Sequence, residues 1–271
     1  MNKLNFGCGD RIADGWINMD FHASSARVRR WNLLEGFPYP DGHFDAVYSS
    51  HTLEHFTREQ ALFLLREARR VLKSTGVLRI VVPDLAGTCK EYLRILALSD
   101  DDPCKAGLYE WIVIELLDQL VRSRPGGEMG LFYQKLSQGN DKVMADYVRS
   151  RTDSGSWLPP ARASFLERCR MLTPQRVFTK LTRLHLKCVG CLIPRHLRSL
   201  VYVETNLGER HRWMYDVYGL SRLCSEAGFV HCRSLAHNES AIPGFSEDGL
   251  DSNPDGSSYK KNSVYLEAKR E

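Results

Sequence analysis

Two stretches near the amino end decide the fold: Leu4-Asn5-Phe6-Gly7-Cys8-Gly9-Asp10 and Gly15-Trp16-Ile17-Asn18-Met19-Asp20. Each contains a short apolar run of the kind that forms a buried strand. The glycines after the first run let the main chain approach a ligand closely, because they carry no side chain. An acidic residue at the end of the following strand holds ribose hydroxyls in nucleotide-binding α/β folds. The order of these features predicts a nucleoside site at Gly7, Gly9 and Asp20.

The strand pattern continues with an alternation of strand and helix. Residues 44–48 and 76–82 are apolar runs of strand length, and the second is rich in β-branched side chains. Between them, residues 58–73 keep the spacing of an amphipathic helix, which a capping box at Thr57 and Gln60 starts. Strand, helix and strand of these lengths predict a βαβ unit in a parallel sheet.

The middle of the chain has a different pattern. Residues 86–205 show helical spacing interrupted by prolines, and the α/β pattern resumes after them with one helix and two strands. We therefore predict one α/β domain formed by residues 1–85 and 206–271. The helical segment 86–205 is an insertion in that domain, expected to act as a lid over the substrate.

Composition excludes several classes of protein. Of 271 residues, 43% are hydrophobic and 26% are charged, which is typical of globular proteins and unlike disordered or low-complexity chains. No run approaches the roughly 18 apolar residues that span a membrane. The net charge of +4 is too small to indicate nucleic acid by itself. Eight irregularly spaced cysteines, without an amino-terminal signal pattern, predict reduced thiols in a cytoplasmic protein.

The motifs together resemble a known family. The two opening stretches are similar to the first motif and second strand of class I S-adenosylmethionine-dependent methyltransferases, in particular the type 11 branch often encoded in bacterial polysaccharide gene clusters. Further segments similar to this branch are residues 37–55 (FPYPDGHFDAVYSSHTLEH), 67–73, 81–85, 211–216 and 264–268. The central helical part carries little of the resemblance.

The resemblance implies a fold, a cofactor and a reaction. The fold is a Rossmann-like sheet, mostly parallel with an antiparallel last strand, and a large helical insertion after the fifth strand. The cofactor is S-adenosylmethionine, and the reaction is O-methylation of a sugar or glycan intermediate in surface polysaccharide biosynthesis. The acceptor is expected to be a sugar, a nucleotide sugar or a lipid-linked glycan. The alternatives are methylation of another metabolite or of RNA, and a cofactor-binding scaffold without turnover.

The resemblance also assigns residues to the cofactor. Asp20 would hold the ribose, and the glycines would pass beneath the methionine part. The expected cofactor-binding residues are Phe6, Gly7, Cys8, Gly9, Asp20, Asn32, Leu33, Ser49 and Ser50. Asn32 departs from the family, whose members usually place an acidic residue there against the adenine amino group. A second departure is the connection of residues 10–15, which is too short to hold the usual helix between two parallel strands.

A hydroxyl acceptor needs a general base, because its proton must leave as the new bond forms. The candidates are His51, Asp84 and His211. His51 and Asp84 follow strands at their carboxyl ends, where binding crevices lie in open α/β sheets. The alternatives are that His51 hydrogen-bonds a turn and that Asp84 caps the next helix.

The segment after the insertion is rich in groups that bind sugars or acids. Arg212, Trp213 and Tyr215, together with His51, are the expected substrate-binding residues. The alternative is that this segment is a buttress whose aromatic side chains pack into the core.

No metal is expected from the sequence. The alternative is a site at His51, Glu54 and His55, which would share one face of a helix. This spacing resembles the E-x-x-E-H metal site of small-RNA 2′-O-methyltransferases and ubiquinone-pathway O-methyltransferases, with histidine in place of the first glutamate.

Residues 175–189 have the pattern of a basic amphipathic helix. Such a helix suits an anionic membrane surface, which would place the protein at the inner face of the membrane. The alternative is a helix that packs on the core and has a solvated basic side. No nucleic-acid partner is expected, because no stacking-rich binding motif accompanies the basic residues.

Overall fold

A computed structural model describes residues 1–23, 25–152 and 208–271, with a few isolated residues between 184 and 194. The predicted basic helix of residues 175–189 lies largely outside this described part. The strands within it are β1 (Lys3–Phe6), β2 (Trp16–Asp20), β3 (Val28–Arg30), β4 (Phe44–Ser50), β5 (Leu72–Pro83), β6 (Val230–Leu235) and β7 (Ser263–Lys269).

These strands form one sheet in the order β3-β2-β1-β4-β5-β7-β6. Neighbours from β3 to β5 pair in parallel, and β7 pairs antiparallel with both β5 and β6. The chain moves outward from β1 in one direction through β2 and β3, and in the other through β4 and β5. Ligands bind at the carboxyl ends of the strands beside such a switch point. The predicted Rossmann-like fold is therefore confirmed.

The connection from β1 to β2 contains no helix, as the sequence predicts. Two buried asparagines hold this short crossover in place. Asn5 Nδ2 donates to the carbonyl of Arg11 and to Asn18 Oδ1, both at 3.0 Å. Asn18 Nδ2 donates in turn to the carbonyls of Ala13 and Trp16, both at 3.1 Å. These side chains satisfy carbonyls that a helix would otherwise pair internally.

The sheet face that the missing helix would cover is packed by the connection between β6 and β7. Trp16 and Tyr48 on the sheet contact the ring of Phe245 in that connection, with ring centroids 6.2 and 5.6 Å apart. Ile242 and Leu250 belong to the same buried cluster. A long carboxyl-terminal connection thus replaces the usual helix on this face.

A buried ion-pair network fastens this connection to the sheet. Arg79 on β5 donates through Nε to Asp251 at 2.6 Å and through Nη1 to Glu267 at 2.8 Å. The hydroxyl of Tyr48 also donates to Asp251. All four side chains are at most 6% exposed. Because each charge has a partner, the network is compatible with its burial.

The opposite face is covered by two helices, α1 (Arg58–Val71) and a later helix of residues 217–226. The predicted capping box of α1 is present, since Thr57 and Gln60 bond each other's main-chain N–H groups. The helix ends at Val71, two residues before the predicted end at Lys73. Leu72 is already extended and pairs with Phe44 in the sheet, so the strand begins without a loop.

Between β5 and residue 152 the described part of the chain is helical. The helices after β5 are α2 (Leu85–Leu96), α3 (Lys105–Val121), α4 (Gly127–Gln138), α5 (Lys142–Arg151), α6 (Val217–Glu226) and α7 (Phe245–Asp248), of which α2 to α5 belong to the insertion. The insertion helices share a hydrophobic core around Trp111, which is fully buried. No helix among the described residues is long and apolar enough to cross a membrane.

Helix α5 of the insertion lies against the carboxyl edge of the parallel strands. Asn262 and Lys261 precede β7, whose first residue, Ser263, pairs with Pro83 at the end of β5. The side chains of Asn262 and Lys261 donate to the carbonyls of Arg151 and Arg149 in α5. Helix α5 of the insertion therefore lies beside the crevice that the strand order predicts. Its role as a lid stays a prediction.

Candidate functional site

The first loop of the site is fixed by contact with the end of β4. Gly7 has φ +64, and a Cβ there would lie 2.3 Å from the side chain of Thr52. The hydroxyl of Thr52 donates to the carbonyl of Gly7 at 3.0 Å. Gly7 must therefore be glycine to let Thr52 join the two loops. Sequence reasoning assigned Gly7 to the cofactor and missed Thr52.

Gly9 and Asp20 form the open part of this loop. Gly9 has φ +51, and a Cβ there would meet nothing within 4 Å. Asp20 Oδ2 accepts from the N–H of Gly9 at 2.9 Å, and Oδ1 accepts from the N–H of His22 at 2.8 Å. Since each carboxylate oxygen has more than one lone pair, Asp20 can still accept hydrogen bonds from a ligand. Burial and Asp20 raise the pKa of the neighbouring Cys8 to about 12, so this thiol stays neutral.

Three other predicted cofactor residues have side chains that are buried or already hydrogen-bonded within the protein. The side chains of Phe6 and Leu33 pack in the main hydrophobic core, so only their main chains can reach a ligand. Asn32 is exposed after β3, and its side-chain oxygen Oδ1 accepts from the main-chain N–H of Leu34 at 3.2 Å. Asn32 thereby caps the 3-10 turn Leu33–Glu35. One lone pair of Oδ1 is left to accept from an adenine amino group.

Polar atoms without partners gather at the ends of β4 and β5. Ser49 is buried, and its hydroxyl has no hydrogen-bond partner among the described residues. Asp84 Oδ1 is likewise buried without a partner in the described structure. Asp84 occupies the N-cap position of α2, as the alternative expects, but its side chain makes no capping hydrogen bond there. Buried polar atoms of this kind need a partner.

His51 follows β4 in a left-handed backbone conformation. Its φ of +47 is uncommon among residues other than glycine, although histidine adopts it more often than most. Its main-chain N–H donates to Val81 O at 2.9 Å, and Nε2 lies 2.9 Å from Ser263 Oγ. Ser263 donates its own proton to the carbonyl of Lys261, so Nε2 of His51 carries the proton and Nδ1 carries the lone pair.

Burial lowers the pKa of His51 well below its usual value, and the nearby Lys260 and histidines add to this effect. The ring is therefore neutral at pH 7. Nδ1 lies 3.7 Å from Glu54 Oε1. The lone pair of His51 thus faces a carboxylate whose own pKa is raised by complete burial.

The structure brings His211 to Glu54 and His55, a combination that sequence reasoning missed. One ligand atom of each residue lies within 4.8 Å of the other two. The rings of His55 and His211 are 5.1 Å apart at 66°. The predicted helical face of His51, Glu54 and His55 is wrong, because the 3-10 turn starts at Leu53 and His51 lies outside it. Burial lowers the pKa of His211 to about 3, so this ring is neutral.

The predicted substrate-binding segment divides into a buried and an exposed part. The main chain of Tyr215 forms an isolated parallel β-bridge with Asp84. The side chain of Tyr215 is buried, and its hydroxyl has no hydrogen-bond partner among the described residues. Burial, together with the charge of Glu54, raises the pKa of Tyr215. Arg212 and Trp213 are exposed, and the guanidinium of Arg58 lies 5.0 Å from the Trp213 ring. The segment is thus partly a buttress and partly an open surface.

Comparison with known proteins gives one family match. Residues 18–80 match the model of a methyltransferase domain. A probable methyltransferase, ltbC of Aspergillus luteorubrus, is 48% identical over 48 residues. That similarity covers 17% of this chain and 17% of the fungal protein, so the chain matches only a small part of this relative.

Two solved structures show a weak likeness to this chain at low sequence identity. A SAM-dependent methyltransferase from Methanosarcina mazei is 12% identical, covering 99% of this chain and 92% of that chain with a TM-score of 0.41. One from Thermotoga maritima, described as a possible histamine N-methyltransferase, is 11% identical, covering 100% and 82% with a TM-score of 0.37. Neither likeness is strong enough to assign a substrate. The matched residues 18–80 run from β2 to β5, so this part of the sheet is similar to a methyltransferase domain, and the match implies S-adenosylmethionine as the cofactor.

Proposed function

We propose that this chain transfers a methyl group from S-adenosylmethionine to a hydroxyl of a sugar or glycan intermediate. The observation that carries the proposal is the convergence of an open glycine loop, a carboxylate and two unpartnered polar atoms at the carboxyl ends of adjacent parallel strands. The sugar class, and its place in surface polysaccharide biosynthesis, rest on the similarity to the type 11 branch alone.

The residues at this edge fit the cofactor. The space above Gly9 admits a ligand against the main chain, and Asp20 offers carboxylate oxygens beside it. The unpartnered hydroxyl of Ser49 gives the bound molecule a further hydrogen-bonding group. When bound, S-adenosylmethionine supplies a methyl group already activated on a sulfonium. The main task of the protein is then to align the acceptor oxygen with that methyl carbon.

A hydroxyl acceptor is supported by the proton-accepting groups beside the crevice. His51 offers the lone pair of Nδ1, and Asp84 offers the unpartnered Oδ1. Either atom can take the proton of an acceptor hydroxyl as the new bond forms. His211 is buried against His55 and Gln119, so it is less suited to this role than sequence reasoning expects.

Replacing Asp20 by alanine is expected to weaken S-adenosylmethionine binding. Hydrogen bonds to a charged group are worth roughly 1.5–3 kcal/mol, which corresponds to an affinity loss of about 10- to 100-fold. Asp20→Asn keeps an acceptor for the Gly9 loop and isolates the effect of the charge. Asp10→Ala, an exposed carboxylate in the same loop, is the matched control and should change affinity by less than about threefold. Calorimetry measures all four proteins, and unchanged binding in Asp20→Ala contradicts the assignment.

The acceptor class is tested by the release of S-adenosylhomocysteine. The wild-type protein is incubated with S-adenosylmethionine and, separately, with nucleotide sugars, glycans, RNA or buffer alone. Release that depends on a sugar-bearing acceptor is the expected result. Release with RNA alone would favour the alternative substrate. Cofactor binding without release in any mixture would indicate a scaffold and contradict the proposed activity.

A further inference from the structure

We propose that Glu54, His55 and His211 bind a divalent transition-metal ion. The first two residues lie in the 3-10 turn just after β4, and His211 lies in the segment that returns from the insertion. Their three candidate ligand atoms are within 4.8 Å of one another. An ion at this point would join the edge of the sheet to the returning segment.

The carboxylate of Glu54 is the strongest indication of a cation. The residue is 1% exposed, and neither carboxylate oxygen has a hydrogen-bond partner among the described residues. Its main-chain carbonyl, by contrast, accepts from the N–H groups of Arg212 and Trp213 at 2.7 and 3.2 Å. A buried carboxylate without donors is costly, because burial removes its hydration and supplies nothing in exchange. A bound cation removes this cost.

His55 is oriented as metal-binding histidines usually are. Its Nδ1 lies 2.9 Å from the main-chain carbonyl of Arg210. A carbonyl can only accept, so Nδ1 carries the proton and Nε2 carries the lone pair. Histidine ligands commonly donate their second N–H to a carbonyl in this way, which fixes the ring and its tautomer. The bond to Arg210 is therefore present before any metal binds.

The donor set selects the class of metal. Two imidazole nitrogens and one carboxylate oxygen suit zinc, iron, cobalt or manganese, whereas magnesium and calcium prefer oxygen ligands throughout. Ligand atoms about 2.1 Å from a common ion lie roughly 3–3.5 Å apart, so separations of up to 4.8 Å must shorten by at most about 1.3–1.8 Å. His51 Nδ1, 3.7 Å from Glu54 Oε1, lies beside the remaining coordination positions. An acceptor oxygen would occupy one of these coordination positions, and this part of the inference rests on the proposed function.

The test is a titration of the chelator-treated full chain with Co²⁺ and with Zn²⁺. Calorimetry measures affinity, and the visible absorption of Co²⁺ reports coordination independently of catalysis. We expect one ion per chain, and a loss of affinity of at least about 10- to 100-fold in Glu54→Gln and in His55→Gln. His231→Asn is the matched control, because His231 is exposed and its φ of +53 suits asparagine. It should bind as the wild type does.

Failure of the wild type to bind either ion, or wild-type affinity in both variants, would overturn the proposal. Circular dichroism establishes that each variant is folded. If Glu54→Gln does not fold, His55→Gln carries the test, since this side chain is less buried. Metal binding without methyl transfer to any acceptor would contradict the proposed function and leave the metal site standing.

Discussion

Replacing His51 by asparagine is expected to lower the methyl-transfer rate by about 10²- to 10⁴-fold at saturating cofactor. Asparagine is the sharper choice than alanine, because it tolerates the φ of +47 and retains polar groups for the bond to Ser263. What it removes is the basic nitrogen Nδ1. The measurement is the initial rate of S-adenosylhomocysteine release with an acceptor identified from the panel.

Cofactor affinity distinguishes a catalytic effect from a structural one. His51→Asn should bind S-adenosylmethionine as the wild type does, since the proposed role of His51 is at the acceptor and not at the cofactor. Asp84→Asn is the companion variant, because its carboxylate is the second candidate base. A His51→Asn enzyme with a near-normal rate, alongside a slow Asp84→Asn enzyme, would contradict the role of His51 and assign the base to Asp84.

Asp251→Ala is expected to lower the free energy of unfolding by about 3–5 kcal/mol, because it leaves the charge of Arg79 only partly paired in the core. The loss also removes the acceptor of the Tyr48 hydroxyl. Both effects loosen the β6–β7 connection from the sheet face that lacks a helix. Equilibrium unfolding in urea measures the change.

An exposed ion pair supplies the control for this variant. Arg124 and Glu128 pair across one turn at the start of α4, with side chains 55% and 60% exposed. Arg124→Ala should therefore change the free energy of unfolding by at most about 1 kcal/mol. If Asp251→Ala were no more destabilising than Arg124→Ala, the network would not be what holds the carboxyl-terminal connection in place.

Much of the sheet was predictable because its signals are local. Apolar runs of strand length located β1, β2, β4 and β5, and the capping box located the start of α1. Strand β3 was not visible as an apolar run, since Val28–Arg30 has one buried side chain and two exposed arginines. The end of α1 was missed for a different reason: pairing of Leu72 with Phe44 in the sheet overrides helical spacing.

The site was only partly predictable, because several of its contacts join distant parts of the chain. The family motifs indicated Gly9, Asp20 and His51 individually. Nothing local indicates that Ser263 fixes the tautomer of His51, or that His211 returns to Glu54. The sequence does record one such contact indirectly. A side chain at position 7 would clash with Thr52, so this contact requires the glycine. The positive φ of Gly7 alone could not show whether Thr52 or a ligand requires it.

The most direct test of the account is a calorimetric titration of the wild-type chain with S-adenosylmethionine. The open loop at Gly9 and the carboxylate of Asp20 predict one binding site per chain. S-adenosylhomocysteine should compete for that site, because it shares the nucleoside that Asp20 is expected to hold. Absence of binding by both molecules to the folded protein would contradict the account.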